Sequence, residues 1–454
     1  MKKLLLIFFV AALSSCSFDN KTGIWKDASD LPEINQTSKP ILNDQTDTRY
    51  ENIVTKKDTF NSEKDSVTPI KLDNTVKIAN WFEEYAIPTN NISNFYYDGN
   101  KILLSKSRKL SQNFDKKNNF NKQYIFYKDN LISYDHKGKI YSYSIKSNKK
   151  VLEYNFYQKN FKKFRKKLNF IVNENILYVA DNIGYLYSIN LDNFSIVWAK
   201  NYGIPFRSNL KLENNQIFLS NQDNVIYSID AKTGNKNWEF ATGSTFLKSD
   251  FINNFALDIT TNNLYFLNTS GELYSINYLT QKINWVLNFK NPLSSGETDL
   301  FLSYPLIIKD NNMIVSTEKS IVNYDTFTGV RKWILYSEPI AKPIITQRYT
   351  FAVLSNNLLI CVDNISGNVV WAKNFYTNIK EKQIRKFGSI IDFKIVNGKI
   401  NIYYNQGYLL SFDPINHQLI SSNRISKKGL ISKIFFLKGN MLMIDNNNKL
   451  LKYN

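Results

Sequence analysis

Residues Ile229-Asp230-Ala231-Lys232-Thr233-Gly234-Asn235-Lys236-Asn237-Trp238 are the fullest copy of a pattern that the chain writes seven times. An aliphatic-aromatic strand ends at Asp or Asn, Gly follows four residues later, and an aromatic follows eight residues after the Asp. Asp325-Gly329-Trp333 and Asp363-Gly367-Trp371 repeat it in full. Asn190-Trp198 and Asn277-Trp285 keep the ends but carry Phe194 and Gln281 in the Gly position, and Lys146-Tyr154 and Asp413-Ser421 are eroded copies. Spacings between successive final positions run from 38 residues (Trp333 to Trp371) to 50 (Trp371 to Ser421). A four-stranded blade takes about 40–50 residues, and self-similarity at that period marks radial β repeats.

The local chemistry explains the pattern. A type I turn closed by one left-handed residue reverses the chain, Gly takes that conformation without a Cβ clash, and Asp or Asn bonds back to the backbone. The aromatic then stands on the next strand, where it fills the wedge between blades as core packing.

The fold expected is therefore all-β: an eight-bladed β-propeller of four-stranded antiparallel blades, closed by pairing of N- and C-terminal strands. Seven blades carry the motif. The eighth begins with Leu450-Leu451-Lys452-Tyr453-Asn454, which aligns with Leu273-Tyr274-Ser275-Ile276-Asn277, and its outer strand is expected from Val76-Lys77-Ile78-Ala79-Asn80-Trp81, with Trp81 in the aromatic slot. Closure of this kind removes free sheet edges around the ring.

The repeats place one disc over residues 73–454 of the 454-residue chain. Before it, Lys2-Lys3 and an apolar run from Leu4 to Leu13 read as a signal peptide over 1–15. Leu13-Ser14-Ser15-Cys16 resembles the bacterial lipoprotein signal, and that resemblance implies that Cys16 becomes the acylated N-terminus. Ser17 after the Cys, by resemblance to Gram-negative sorting rules, implies the outer membrane. Residues 16–72 are rich in Asp, Asn, Lys, Thr and Ser and read as a flexible tether, with Gly23-Ile24-Trp25 either a docking element or an incidental apolar cluster.

Composition limits the chemistry. Cys361 is the only other cysteine and has no partner in the mature chain, so it reads as a buried thiol. A net charge of +19, from 58 basic and 39 acidic residues, raises nucleic acid as a partner. The densest run, Lys162-Lys163-Phe164-Arg165-Lys166-Lys167, reads instead as a solvated connection between blades 1 and 2 or as a contact for an anionic membrane surface, and nucleic acid is not expected. No metal site is expected, because His136 and His417 are the only histidines and lie far apart in hairpin turns. No nucleophile elbow, phosphate-cradling loop or paired cysteines occur. Asp223, Asp258 and Asp299 have no spacing that pairs them as acids. No catalytic residue and no cofactor is expected, and the protein reads as a non-enzyme.

The Gly-to-Trp repeat resembles that of the quinoprotein dehydrogenases, whose resemblance would imply pyrroloquinoline quinone, calcium and an adjacent Cys-Cys pair. The chain has no adjacent cysteines. A lipid-anchored propeller with this repeat and a terminus-to-terminus closing blade more closely resembles the BamB family, lipoprotein subunits of the outer-membrane β-barrel assembly machinery. The resemblance covers the signal and essentially all of 73–454. It implies a periplasm-facing, lipid-anchored scaffold whose rim loops bind the POTRA domains of a BamA-like barrel subunit, and contact with unfolded outer-membrane proteins. Ser244-Thr245-Phe246-Leu247-Lys248-Ser249 is similar to a family contact loop, which places Leu247 on a contact Leu and Lys248 on a contact Arg beside the apolar Phe246. Phe246 and Leu247 either anchor a partner or tuck under their own blade. Gly296-Glu297-Thr298-Asp299-Leu300 is similar to a loop with two contact aspartates, which places Glu297 and Asp299 there. Two other readings stay open: a periplasmic quinoprotein-like or ligand-sensing propeller, and a surface adhesin motivated by the 15% aromatic content.

Overall fold

The computed structural model describes the backbone of residues 16–19 and 24–27, and residues 48–53, 58–111, 122–158, 161–245, 252–289 and 300–454 in full. These residues form eight four-stranded antiparallel blades in chain order. Blade 1 runs from Ile125–Tyr127 to Lys149–Asn155, blade 2 from Leu168–Asn173 to Ile196–Asn201, and blade 3 from Lys211–Glu213 to Lys236–Ala241. Blade 4 spans Asn254–Asp258 to Lys282–Asn288, blade 5 Ile307–Lys309 to Arg331–Tyr336, blade 6 Ile344–Ile345 to Val369–Asn374, and blade 7 Ile390–Val396 to Leu419–Arg424. Blade 8 consists of Phe435–Leu437, Asn440–Ile444 and Leu450–Tyr453, completed by Leu103–Lys106. Phe126 of blade 1 packs on Phe435 of blade 8 at 4.9 Å between ring centroids, which closes the ring.

The motif's turn has the geometry that the sequence implies. In blade 3 the Gly234 amide donates to the Asp230 carbonyl at 2.8 Å, and the Thr233 amide donates to the Asp230 carboxylate at 2.8 Å. Gly234, Gly329 and Gly367 take φ of 70°, 63° and 72°, and Phe194 and Gln281 are held at 56° and 58° in the same place. In blades 2 to 7 the residue eight past the Asp faces a small or polar residue of the third strand, as in Ser188 opposite Trp198 and Cys361 opposite Trp371. A bulge follows that pair each time.

What the sequence does not reveal is where each indole points. It reaches forward onto the turn of the next blade. A Cβ on Gly234 would meet Trp198 at 2.5 Å, one on Gly329 would meet Trp285 at 2.6 Å, and one on Gly367 would strike Trp333. The same indoles donate to the backbone beside those glycines: Trp198 to Ala231 O at 2.9 Å, Trp285 to Thr326 O at 3.1 Å, and Trp333 to Asn364 O at 3.0 Å. The glycine is thus required twice, for its left-handed backbone and for the room its absent side chain leaves. In blade 7 His417 holds the glycine position and packs on Trp371 at 4.8 Å.

Three sequence expectations need correction. The closing strand is Leu103–Lys106, paired as Leu451 with Lys106 and Lys452 with Ser105, and not Val76–Trp81. Ser105 occupies the slot in which an aromatic was expected, and Leu103 and Leu104 are exposed, so this strand lacks the motif's apolar signature. In blade 1 the slot belongs to Leu152, opposite Ser142, and not to Tyr154 two residues on. Residues 48–53 and 58–72, assigned above to the tether, lie along the disc. Thr48–Tyr50 adds a parallel fifth strand to blade 4, the Phe60 amide donates to Tyr336 O at the edge of blade 5, and Lys64 bridges Ala372 at the edge of blade 6. Ile53 and Ile70 of this strap are buried against the disc. Near the start of the chain, Cys16–Asp19 pairs with Ile24–Asp27 as a two-stranded hairpin.

Buried thiol Cys361 and basic run 162–167 meet their simpler expectations. Cys361 is fully buried and its thiol is pushed up by burial. Lys166 is itself buried, donating to Phe164 O at 2.6 Å with its ammonium 4.6 Å from the Tyr157 ring, while Lys162, Lys163, Arg165 and Lys167 are exposed between blades 1 and 2.

A paired substitution tests the forward contact. Gly398→Ala meets open space at φ 74°, so it should lose about 1 kcal/mol of stability from backbone strain alone. Gly329→Ala adds collision with Trp285 and should lose about 1–3 kcal/mol more in chemical denaturation. Equal losses would mean that the indole does not couple the blades.

Candidate functional site

The hub is filled by a segment with no repeat pattern. Residues 78–98 travel around the axis and meet the inner strands in ring order. Trp81 exchanges backbone hydrogen bonds with Phe126 of blade 1, Phe82 O accepts from the Val172 amide of blade 2, and Glu83 pairs with Lys211 of blade 3. Pro88 O accepts from Leu257 of blade 4, Thr89 O from Ile308 of blade 5, and the Asn91 side chain exchanges bonds with Ile345 of blade 6 at 2.8 and 3.1 Å. Phe95 is bonded to Ile395 and Asn397 of blade 7, and Ile78 and Asp98 to Lys438 and Gly439 of blade 8. One 21-residue stretch therefore contacts all eight blades.

Trp81, expected in the closing blade, is part of this plug: 4% exposed, stacked on Phe95 at 6.1 Å and edge-on to Phe435 at 5.0 Å. Lys211 and Glu83 are both buried, and Lys211 also donates to Asn90 Oδ1 at 2.6 Å. Burial pulls the Lys211 ammonium down and pushes the Glu83 carboxyl up, and their mutual attraction opposes both shifts.

Most of these contacts fall in the middle or toward the C-terminal ends of the inner strands, Lys211 at the start of its strand excepted, so the plug lies toward one mouth of the channel. Toward the other mouth lies a cavity of about 460 Å³, lined by residues at or before the N-terminal ends of the inner strands, including Asn254, Tyr304, Lys342 and Lys433. That face carries the blade-to-blade connections. Among the lining charges, Lys394 pairs with Asp392 at 3.2 Å and Lys433 with Glu84 at 3.4 Å. Burial lowers Lys394 and takes Lys342 down to about 7.

The described ends of the two expected contact loops lie on this same face. One joins the outer strand of blade 3 to the inner strand of blade 4, the other joins blade 4 to blade 5. Phe246, Leu247, Lys248, Glu297 and Asp299 themselves lie outside the described residues. Their shoulders are fixed. Gly243 N donates to Glu272 Oε2 at 2.7 Å, Asn268 Nδ2 donates to Thr242 Oγ1 at 2.8 Å, Phe301 stacks on Phe289 at 5.4 Å, and Tyr304 OH donates to Pro339 O at 3.0 Å. Ile252 and Leu302, at the far ends of the two loops, line the cavity mouth. Of the imagined acids, Asp258 caps its own turn through the Thr260 amide at 2.9 Å.

With this geometry in hand, the comparisons with known proteins become specific. A family profile described as outer membrane protein assembly factor BamB matches residues 136–373. The chain belongs to this family. A BamB of Moranella endobia (strain PCIT) is 20% identical over 261 residues, 53% of this chain, and the matched region spans 62% of that relative's length. The crystal structure of BamB from Moraxella catarrhalis superposes with a TM-score of 0.59 at 11% identity, covering 78% of this chain and 99% of that one. A quinohemoprotein alcohol dehydrogenase from Comamonas testosteroni reaches the same TM-score at 7% identity, covering 84% and 81%. These structural likenesses establish the fold.

The residues present do not fit a calcium-quinone site of the dehydrogenase kind. Among the described residues there is no group of three or more His, Cys, Asp or Glu side chains that could hold a metal ion. The hub carboxylates Glu83, Glu84 and Asp392 are each already paired with a lysine, which leaves no oxygen cage for a hard cation.

The buried pair supplies a test of the plug. Lys211→Met strands the Glu83 carboxyl and should cost about 3–5 kcal/mol in chemical denaturation. Adding Glu83→Leu should recover most of that loss. A double variant no more stable than the single would show that the pair is not isolated from other hub contacts.

Proposed function

We propose that this protein is a non-enzymatic scaffold for assembly of outer-membrane proteins, held at the periplasmic face of the outer membrane by acylation of Cys16. Its partner would be a BamA-like barrel subunit, engaged through POTRA domains by the rim between blades 3 and 5. What supports this reading is the family match, together with flanking residues 242–245, 252–254 and 300–304, which are tied to the disc on one face. Unfolded outer-membrane proteins would pass the same face. The role would be one of positioning.

The physical logic favours a small contact. By their chemistry Phe246 and Leu247 would supply an apolar anchor and Lys248, Glu297 and Asp299 charged contacts, the composition of an anchored hot spot with a polar rim. A Lys in place of Arg makes a point-charge contact in place of a bidentate fork.

Co-purification from gently solubilised membranes tests the reading. The full chain should retain POTRA domains, and Leu247→Asp with Lys248→Glu should reduce capture at least tenfold while leaving the unfolding transition unchanged. Cys16→Ser should release the disc from the membrane fraction yet preserve capture of added POTRA domains. Absence of any POTRA association with the unaltered chain would overturn the proposal.

A further inference from the structure

The channel cavity holds one ammonium group that the scaffold role does not use and with which no described carboxylate pairs. Three ammonium groups approach it. Lys394 and Lys433 have carboxylate partners, Asp392 and Glu84, whereas Lys342 has no carboxylate within ion-pair distance among the described residues. Its Nζ donates to the Asn90 carbonyl at 3.1 Å, and more distantly to its neighbour Pro343 O at 3.4 Å. Carbonyls hold an ammonium in place but do not neutralise it. A half-buried ammonium with no carboxylate at ion-pair distance is left to carbonyls and water for its solvation.

The walls around it are apolar and aromatic. Ile92 and Phe95 come from the plug, Phe301 from the blade 4–5 connection, Ile344 and Phe393 from inner strands, and all five are buried. Ile252 and Ile340 are partly exposed at the mouth. The volume, about 460 Å³, suits a small organic molecule. Plug residues Trp81, Tyr85, Ile92 and Phe95 form part of its wall, and its other lining residues lie toward the face of the blade-to-blade connections.

We propose that this cavity binds a small organic carboxylate with an aromatic or bulky apolar body, the carboxylate paired with Lys342 and the body against the Phe95, Phe301 and Phe393 wall. Carboxylate chemistry follows from a single unpaired ammonium; a phosphate dianion would call for more donors than Lys342 supplies, since the neighbouring lysines are already committed. The apolar body follows from the lining. Binding would supply the counterion that Lys342 lacks among the described residues.

The groups facing Lys342 are Asp392 and Lys394 from blade 7, Lys433 from the connection between blades 7 and 8, and Tyr85 and Glu84 from the plug, with Glu318 of blade 5 on the same cavity wall. With its ordinary value lowered to about 7, Lys342 is protonated below that pH and neutral above it. Affinity for a carboxylate should therefore rise as pH falls, by about tenfold from pH 8 to pH 6.

Calorimetric titration of the purified full chain with naphthalene-2-carboxylate, and in parallel with the neutral naphthalene-2-carboxamide, tests the inference. At pH 6 the acid should bind at least tenfold tighter than the amide, and the preference should shrink toward pH 8. Lys342→Met should abolish the preference while the amide's affinity stays unchanged, which shows that the cavity remains formed. Should that variant fail to fold, the acid-amide comparison on the unaltered chain still decides. Equal binding of acid and amide, no binding of either, or an acid preference that survives Lys342→Met would overturn the proposal.

Discussion

The contact between one blade's tryptophan and the next blade's turn is the constraint on which the ring depends. A propeller blade is a twisted four-stranded sheet, and two such sheets face to face leave a wedge that widens away from the axis. Trp198, Trp285 and Trp333 fill it with the largest side chain available and donate their indole N–H to a carbonyl of the neighbouring turn, so the filler is both apolar and hydrogen-bonded. The turn must then present no Cβ, and the backbone must be left-handed at that residue. Two requirements converge on one glycine, which is why Gly234, Gly329 and Gly367 recur at the same distance from their Asp. Where the glycine is replaced, the packing changes too, as at His417 against Trp371.

Ring closure is achieved by two devices instead of one. Leu103–Lys106 supplies the last strand of blade 8, so the start and the end of the disc share a sheet. Residues 78–98 then tie all eight blades from within, using backbone groups of inner strands that would otherwise face the channel unpaired. Between Thr48 and Leu72 the chain also crosses the outer edges of blades 4 to 6, covering strand edges that would be open to pairing with other chains. Hub, seam and strap come from the same N-terminal part of the chain. The result is a rigid disc whose two faces differ: the plug lies toward one, and the other bears long connections and an open cavity.

Blades 2 to 7 were legible because they obey a local rule that combines a turn conformation, a period-2 strand and one large aromatic. Blade 1 was offset by two residues because Leu152 stands where an aromatic was sought and Tyr154 lies close by. The closing strand was misplaced for a related reason. Val76–Trp81 has the aromatic that Leu103–Lys106 lacks, yet Trp81 is spent at the hub against Phe95 and Phe435. Pattern alone cannot distinguish an aromatic that fills a wedge from one that fills an axis. The plug was invisible because it has no periodicity: its bonds go to eight separate strands, each tens of residues from the next. Lys211, Lys342, Lys394 and Lys433 gave no signal among 58 basic residues, and their grouping is a product of ring topology. The family was legible from the repeat, and the family match falls on repeat-bearing residues 136–373.

If the plug makes the eight blades a single cooperative body, native-state hydrogen exchange should show it. The amides of Phe126, Val172, Leu257, Ile308, Asn397 and Lys438, which donate to the plug from six different blades, should exchange with one common opening free energy and one common denaturant dependence. Opening energies that differ from blade to blade, with the hub amides exchanging independently of one another, would contradict the account.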